Sequence, residues 1–289
     1  MDENFVVTLI NPLSKVKGRK AKENSVIGLP ALNPPKDDRA RAQWSRQCDL
    51  YVFKATMSAD PISNVKDCIV LVIYEGSCQM AFIRLDKDTT WTYIHAGIRN
   101  VEDVVYFEDK FYAVDDLNQL WYFSVTTTQF KSRDVDSAVG AVVEDDLIRR
   151  YLVELNDHKE LVMVKRYMDF EPNRGHLIGR RKTTKFQVFK INADKHEWTE
   201  IKTIGDVAIF VGDSVVSVLA SDFLGCQADC IYFVHDWDRQ RPGYGSRGPR
   251  NFGVYNLKTQ RFSRIGTAAA NLIKMSNRTP IWATANIEL

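Results

Sequence analysis

The stretch Phe252-Gly-Val-Tyr-Asn256-Leu-Lys-Thr-Gln-Arg-Phe262 places a short apolar and aromatic run, then a polar turn, then a second aromatic residue. Val, Tyr and Phe suit a pleated, packed surface, and Asn with polar neighbours supplies turn chemistry, so the segment predicts a β-hairpin. The same order returns at Ala81-Phe-Ile-Arg-Leu-Asp86-Lys-Asp-Thr-Thr-Trp91, at Leu120-Trp-Tyr-Phe-Ser124-Val-Thr-Thr-Thr-Gln-Phe130 and at Phe186-Gln-Val-Phe-Lys-Ile-Asn192-Ala-Asp-Lys-His-Glu-Trp198. A fainter copy without the closing aromatic opens the chain at Phe5-Val-Val-Thr-Leu-Ile-Asn11. Repetition of one supersecondary unit is what decides the fold class.

Between the copies lie further strand-like runs: Tyr51–Phe53, Cys68–Tyr74, Val104–Phe107, Phe111–Val114, Leu161–Val164, Ala208–Val211 and Cys230–Val234. Only Asp37–Cys48 has the spacing of a short helix. Many short strands with periodic aromatics and turns predict an all-β domain, a β-propeller or a sandwich. Cys68–Tyr74 and Trp121–Phe123 are apolar on both faces, which sheets stacked on both sides would bury. A blade period of about 40–50 residues gives about six short blades. The closing aromatics, however, stand 39, 68 and 64 residues apart, so the copies are unequal.

Composition narrows the class without naming a chemistry. The 289 residues include 39 Lys+Arg and 37 Asp+Glu for a net charge of +2, with 45% hydrophobic and 26% charged residues. Collagen-like, coiled-coil and wholly disordered chains are far more biased. So small a net charge exerts no whole-molecule pull on nucleic acid or an acidic membrane. No run approaches the eighteen or so apolar residues of a membrane span; Cys68–Tyr74 ends at Glu75. The N-terminus has Asp2 and Glu3 where a signal peptide needs basic residues. Five cysteines, odd in number and sparse, point to a reducing intracellular setting, nuclear or cytoplasmic.

Five motifs, in order, carry a family resemblance. They are Leu9-Ile-Asn-Pro-Leu13 with Leu29-Pro-Ala-Leu32, then Gly205-Asp-Val-Ala-Ile-Phe-Val-Gly212-Asp-Ser214, then Ala220-Ser-Asp-Phe-Leu-Gly225 with Cys230-Ile-Tyr-Phe233, then Phe252–Leu257, then Pro280-Ile-Trp282. The sequence resembles the plant F-box-associated proteins with a KIB-type β-propeller, the domain of unknown function family 295. The resemblance implies a single KIB-type propeller over residues 1–289, with its first blade incomplete. It also implies recognition of a target protein through propeller loops, in full-length relatives for ubiquitination. Such relatives begin with an F-box that docks a Skp1-type adaptor. Only Met1-Asp-Glu-Asn4 precedes the strand leading to the opening motif, so the expectation is a chain without an F-box and without that adaptor as partner.

Gly243-Tyr-Gly-Ser-Arg-Gly248 lacks the spacing of a nucleophile elbow. Cys226, Cys230 and His235 lack the close pairing of a zinc site, and Cys226 and Cys230 read as buried small hydrophobes at the start of a strand. The acidic pairs Asp115-Asp116, Glu144-Asp145-Asp146 and Asp236/Asp238 sit at turns or strand ends, where acids serve solvation. The expectation is therefore a protein that is not an enzyme and takes no cofactor or metal. Basic clusters stand out more: Lys15, Lys17, Arg19, Lys20 and Lys22; Arg180, Arg181 and Lys182 with Lys185; and Arg239, Arg241, Arg247 and Arg250 around Tyr244. Arg with Gly and an aromatic can bind single-stranded nucleic acid or an acidic partner, although a solvated inter-strand loop is the plainer reading.

The segments 171–185 and 236–251 are the expected partner-facing ones, with Arg180, Arg181, Lys182, Asp236, Asp238, Arg239, Arg241, Tyr244, Arg247 and Arg250 as contact residues. A propeller-type enzyme or carbohydrate-binding protein is one alternative, and a nucleic-acid-associated protein using the basic loops is another.

Overall fold

The computed structural model describes residues 3–10, 26–46, 51–75, 78–94, 100–124, 133–135, 147–155, 160–171, 180–192, 197–234 and 251–266. They divide after Val101 into two units, taken separately here.

The first unit begins with β1 (Val6–Ile10) and β2 (Val26–Ala31), an antiparallel pair, followed by α1 (Asp38–Arg46). Asp37 accepts the Ala40 N–H at 2.8 Å, a side-chain cap that starts the helix. Next come β3 (Val52–Met57), β4 (Ile69–Tyr74), β5 (Gln79–Arg84) and β6 (Thr92–Ile94), one antiparallel sheet in chain order. Every residue of β4 from Val70 to Tyr74 is buried, as its unbroken apolar run predicts. Tyr51 lies at the centre of this unit's core, its ring centroid 4.8 Å from Phe5, 5.6 Å from Trp44 and 5.7 Å from Tyr74. Its hydroxyl donates to Asn33 O at 2.8 Å, and burial pushes its pKa well up.

The second unit holds three more sheets. One is β7 (Val101–Phe107), β8 (Lys110–Asp115), β9 (Leu120–Phe123) and β10 (Arg133–Val135), in chain order. Another is β11 (Leu147–Leu155), β12 (Glu160–Glu171), β13 (Arg180–Asn192) and β14 (Glu197–Ile201). The last contains β15 (Val207–Val211), β16 (Val216–Leu219), β17 (Cys230–Phe233), β18 (Gly253–Asn256) and β19 (Arg261–Ser263), ordered β16-β15-β17-β18-β19. Its β15 and β17 run parallel; every other pair in it is antiparallel.

The repeat found in the sequence is the last hairpin of each of these sheets: β5–β6, β9–β10, β13–β14 and β18–β19. Trp91 and Trp198, two of its closing aromatics, are buried, whereas Phe262 is partly exposed. Phe130, the closing aromatic of the second copy, lies outside the described residues, as do Lys15–Lys22, Glu144–Asp146 and Pro280–Trp282.

Sheets in the second unit stack face to face. Side chains alternate across a strand, so Tyr151, Val153, Val162, Val164, Phe186 and Val188 meet Ile209, Ile231 and Phe233 on one side of the β11–β14 sheet. On its other side Leu152, Leu161, Met163 and Phe189 meet Phe107, Val114 and Leu120. A sheet covered on both faces explains why its strands are apolar in both registers. Trp121 and Tyr122 of β9, expected to be buried on both faces, are only half-buried.

Carboxylates satisfy backbone N–H groups on the free edge of strand β11, where Arg150 and Leu152 are buried. Glu102 Oε2 accepts the Arg150 N–H and Asp103 Oδ2 the Leu152 N–H, both at 2.8 Å. Unpaired strand edges invite aggregation, and an acid from the adjoining sheet closes this one. The same Glu102 pairs with the Arg150 guanidinium, whose Nε donates to Asn118 Oδ1 at 2.6 Å.

Candidate interaction surface

β12 and β13 form a long hairpin whose pairing runs from Val162↔Lys190 to Glu171↔Arg180, beyond the reach of β14. Its outer end carries the first expected contact cluster. Arg180 and Arg181 lie opposite Glu171 and Phe170, and exposed Lys182 lies opposite Asp169. Opposite charges on facing strand positions are mildly stabilising.

A bulge near this end has a specific effect. Tyr167 pairs with Lys185 and Met168 with Thr183, leaving Thr184 as the extra residue. Lys185 and Thr184 are both exposed while Thr183 turns inward and is buried. Bulges re-aim side chains in this way, and here the target is Arg166.

Arg166 is only 1% exposed. Its Nε donates to Thr183 Oγ1 at 2.9 Å, one terminal nitrogen to Val234 O at 2.7 Å and the other to Asn251 O at 3.4 Å. The guanidinium carbon also lies 5.0 Å from the Phe233 ring and 5.9 Å from that of Phe186. Arginine tolerates this setting because its planar fork can satisfy several acceptors and still present a face to aromatic rings. Thr183 N–H and Oγ1–H in turn donate to Asn251 Oδ1, at 3.2 and 3.0 Å.

Val234 and Asn251 bracket the second expected contact segment. The knot therefore joins the base of that segment to the strand carrying Arg180–Lys182: Thr183 follows Lys182 directly, and Asn251 follows Arg250. Asp236, Asp238, Arg239, Arg241, Tyr244, Arg247 and Arg250 themselves lie outside the described residues. Thr183 and Asn251 fall within the two expected segments without being named as contacts, whereas Arg166 lies outside both. Asn251 Nδ2 is buried and has no hydrogen-bond partner among the described residues.

Other weighed groups have structural work. Asp115 Oδ1 accepts the Leu117 and Gln119 N–H groups, each at 2.9 Å, and Oδ2 accepts Trp121 Nε1–H at 3.3 Å, closing the β8–β9 turn. Burial raises its pKa against the pull of those bonds. Cys230 is buried and Asn256 Nδ2 lies 3.5 Å from its sulfur. No cluster of metal-ligating side chains occurs among the described residues.

A family model described as KIB1-4 beta-propeller matches residues 1–256. The chain belongs to that family. Its relatives in Arabidopsis thaliana include "Putative F-box protein At5g55150", 24% identical over 74% of this chain and 56% of its own length. Another is "F-box protein SKIP23", 22% identical over 82% of this chain and 58% of its own length. The chain thus spans little more than half the length of these relatives. Among solved structures, inulosucrase from Halalkalicoccus jeotgali is 10% identical over 60% of this chain and 56% of that one, at a TM-score of 0.31. PorZ of Porphyromonas gingivalis is 9% identical over 75% of this chain and 21% of that one, at 0.30. Scores so low bear on neither site nor activity. No helix among the described residues is long and apolar enough to cross a membrane.

Proposed function

We propose that this KIB-type propeller is a non-catalytic recognition module that grips a target protein with the segments 171–185 and 236–251. Membership in a family whose relatives are F-box proteins supports an interaction role. The single observation that carries the site is the Arg166 knot, which pins the roots of both segments to one point. Two loops anchored together can present one continuous surface at little ordering cost on binding. Basic residues at 180–182 and 239–250 would meet an acidic target surface. Residues 1–289 are read as one domain.

The test is capture from plant extract with the intact chain and with Arg180→Glu/Arg181→Glu/Lys182→Glu. The wild type is expected to retain a discrete target protein that the variant loses while keeping its unfolding midpoint. Capture unchanged by the triple charge reversal would overturn the surface.

A further inference from the structure

At one end of the five-stranded sheet, residues 220–229 lead from β16 past the start of β15 into β17. This connection is held tightly. Ala220 N–H donates to Asp206 O at 2.9 Å, Cys226 N–H to Phe223 O at 3.0 Å, and Gln227 N–H to the Tyr232 hydroxyl at 3.0 Å. The Tyr232 hydroxyl reaches back to Gly225 O at 3.4 Å, and its ring stacks on Phe210 at 4.7 Å. Gly225 takes a φ of +90°, a conformation that lets the chain reverse there. The result is a rigid knuckle with its apolar residues outside: Leu224 is completely exposed and Phe223 is 41% exposed. Half-buried Cys226, Phe210 and Tyr232 pack beneath on Ala208, Val218 and Ala220.

Scattered exposed apolar residues are ordinary, but two adjacent ones on a pre-ordered turn are what a binding hot spot requires. Acidic residues stand beside them: Asp206 leads into β15, Asp222 lies in the knuckle itself and Asp229 ends it, while residues 203–234 contain no Lys or Arg. Asp206 and Asp222 are exposed. Lys202 and Lys258 lie nearer Asp229, since Thr203 Oγ1–H and Leu257 N–H both donate to it, at 2.7 and 2.8 Å, so Asp206 and Asp222 are the acids left to flank the knuckle.

We infer that this knuckle is a second docking point, where Phe223 and Leu224 enter an apolar pocket rimmed by Lys and Arg on a partner protein. It is distinct from the Arg166-anchored surface in both position and charge sign, and it rests on the reading of the chain as a recognition module.

The probe is a phage-displayed library of cyclised random peptides, selected against the intact chain. Enriched peptides are expected to combine Leu, Ile, Phe or Trp with Lys or Arg. Their affinity should fall at least tenfold with Leu224→Ser and several-fold with Asp206→Asn/Asp222→Asn, and it should weaken with added salt. Leu224 is exposed, so Leu224→Ser should leave the circular dichroism and unfolding midpoint unchanged. Enrichment of acidic peptides, of none, or of peptides indifferent to Leu224→Ser would overturn the inference. Peptides indifferent to Leu224→Ser but lost with Lys182→Glu would overturn it while upholding the loop surface. Sedimentation showing a dimer that Leu224→Ser dissolves would assign the knuckle to a second copy and overturn it also.

Discussion

Arg166 shows how much one side chain can decide at the residue scale. Lys165-Arg166 follows the apolar run Leu161–Val164 with two adjacent cations, yet both residues are 1% exposed. Nothing in the strand's alternation reveals this, because the acceptors at 183, 234 and 251 come from distant parts of the chain. Removing a buried, fully hydrogen-bonded charge strands its acceptors, so Arg166→Met should cost about 3 kcal/mol in urea denaturation. Arg166→Lys should restore less than half, since an ammonium cannot span the same acceptors. Two acids should respond to pH with opposite signs. The Arg84 guanidinium, bonded to both Asp88 oxygens, holds the Asp88 pKa below its ordinary value. Its stabilisation is therefore complete above the unfolded carboxylate value of about 4 and is lost as pH falls through the lowered one. Because Arg84 is a third exposed, Asp88→Asn should cost only about 0.5–1 kcal/mol at pH 7 and nothing in strong acid. Asp115, raised by burial, works the other way: its contribution is present in acid and is lost as pH rises through the raised value. Wild type and Asp115→Asn should thus match in acid, with the wild type falling below the variant as pH rises, measured by denaturant midpoints at each pH.

At the scale of elements, the strands that announced themselves were those whose two faces are both apolar, and the hairpins those whose turns carry Asp, Asn or Thr. The helix expected within Asp37–Cys48 forms over Asp38–Arg46 because its spacing and its capping acid agree. β11 escaped notice for a physical reason. Its Arg149-Arg150 pair breaks the apolar pattern, yet Arg150 is buried on Glu102 and Asn118 from other strands. β16 has only four residues with a Ser in them, and Ser217 is buried because its hydroxyl donates to Glu154 O of β11. Both strands owe their place to partners that no local window contains. The edge of β11 makes the dependence measurable. Asp103 is 1% exposed and accepts the Leu152 N–H, so Asp103→Ala leaves a buried donor unpaired. The expected loss is about 2–3 kcal/mol by urea denaturation, with amide exchange at Leu152 accelerating more than at Met163. Asp103→Asn keeps an acceptor oxygen and should cost clearly less.

For the molecule as a whole, the repeat hairpins are alike in pattern, and the described residues show additions falling between them. The β12–β13 hairpin outgrows its sheet, and residues 235–250 intervene between β17 and β18. Those two strands pair antiparallel up to Phe233↔Gly253, so the segment between them connects neighbouring strand ends. Sheet pairing there needs only a short turn, because antiparallel neighbours close with a few residues. Replacing residues 235–250 with a Gly/Ser turn of about four residues should therefore leave the sheets intact. Closing a loop about one quarter as long lowers the entropic cost by about 1 kcal/mol. The shortened protein should unfold in one transition at equal or higher denaturant concentration, unless the loss of Asn251 geometry around Arg166 offsets the gain. Retaining Val234 and Asn251 in the design preserves those acceptors. If the segment serves recognition, target capture should vanish while stability holds. A shortened chain that still captures the target would move the binding surface elsewhere, and one that no longer folds would make the segment part of the architecture.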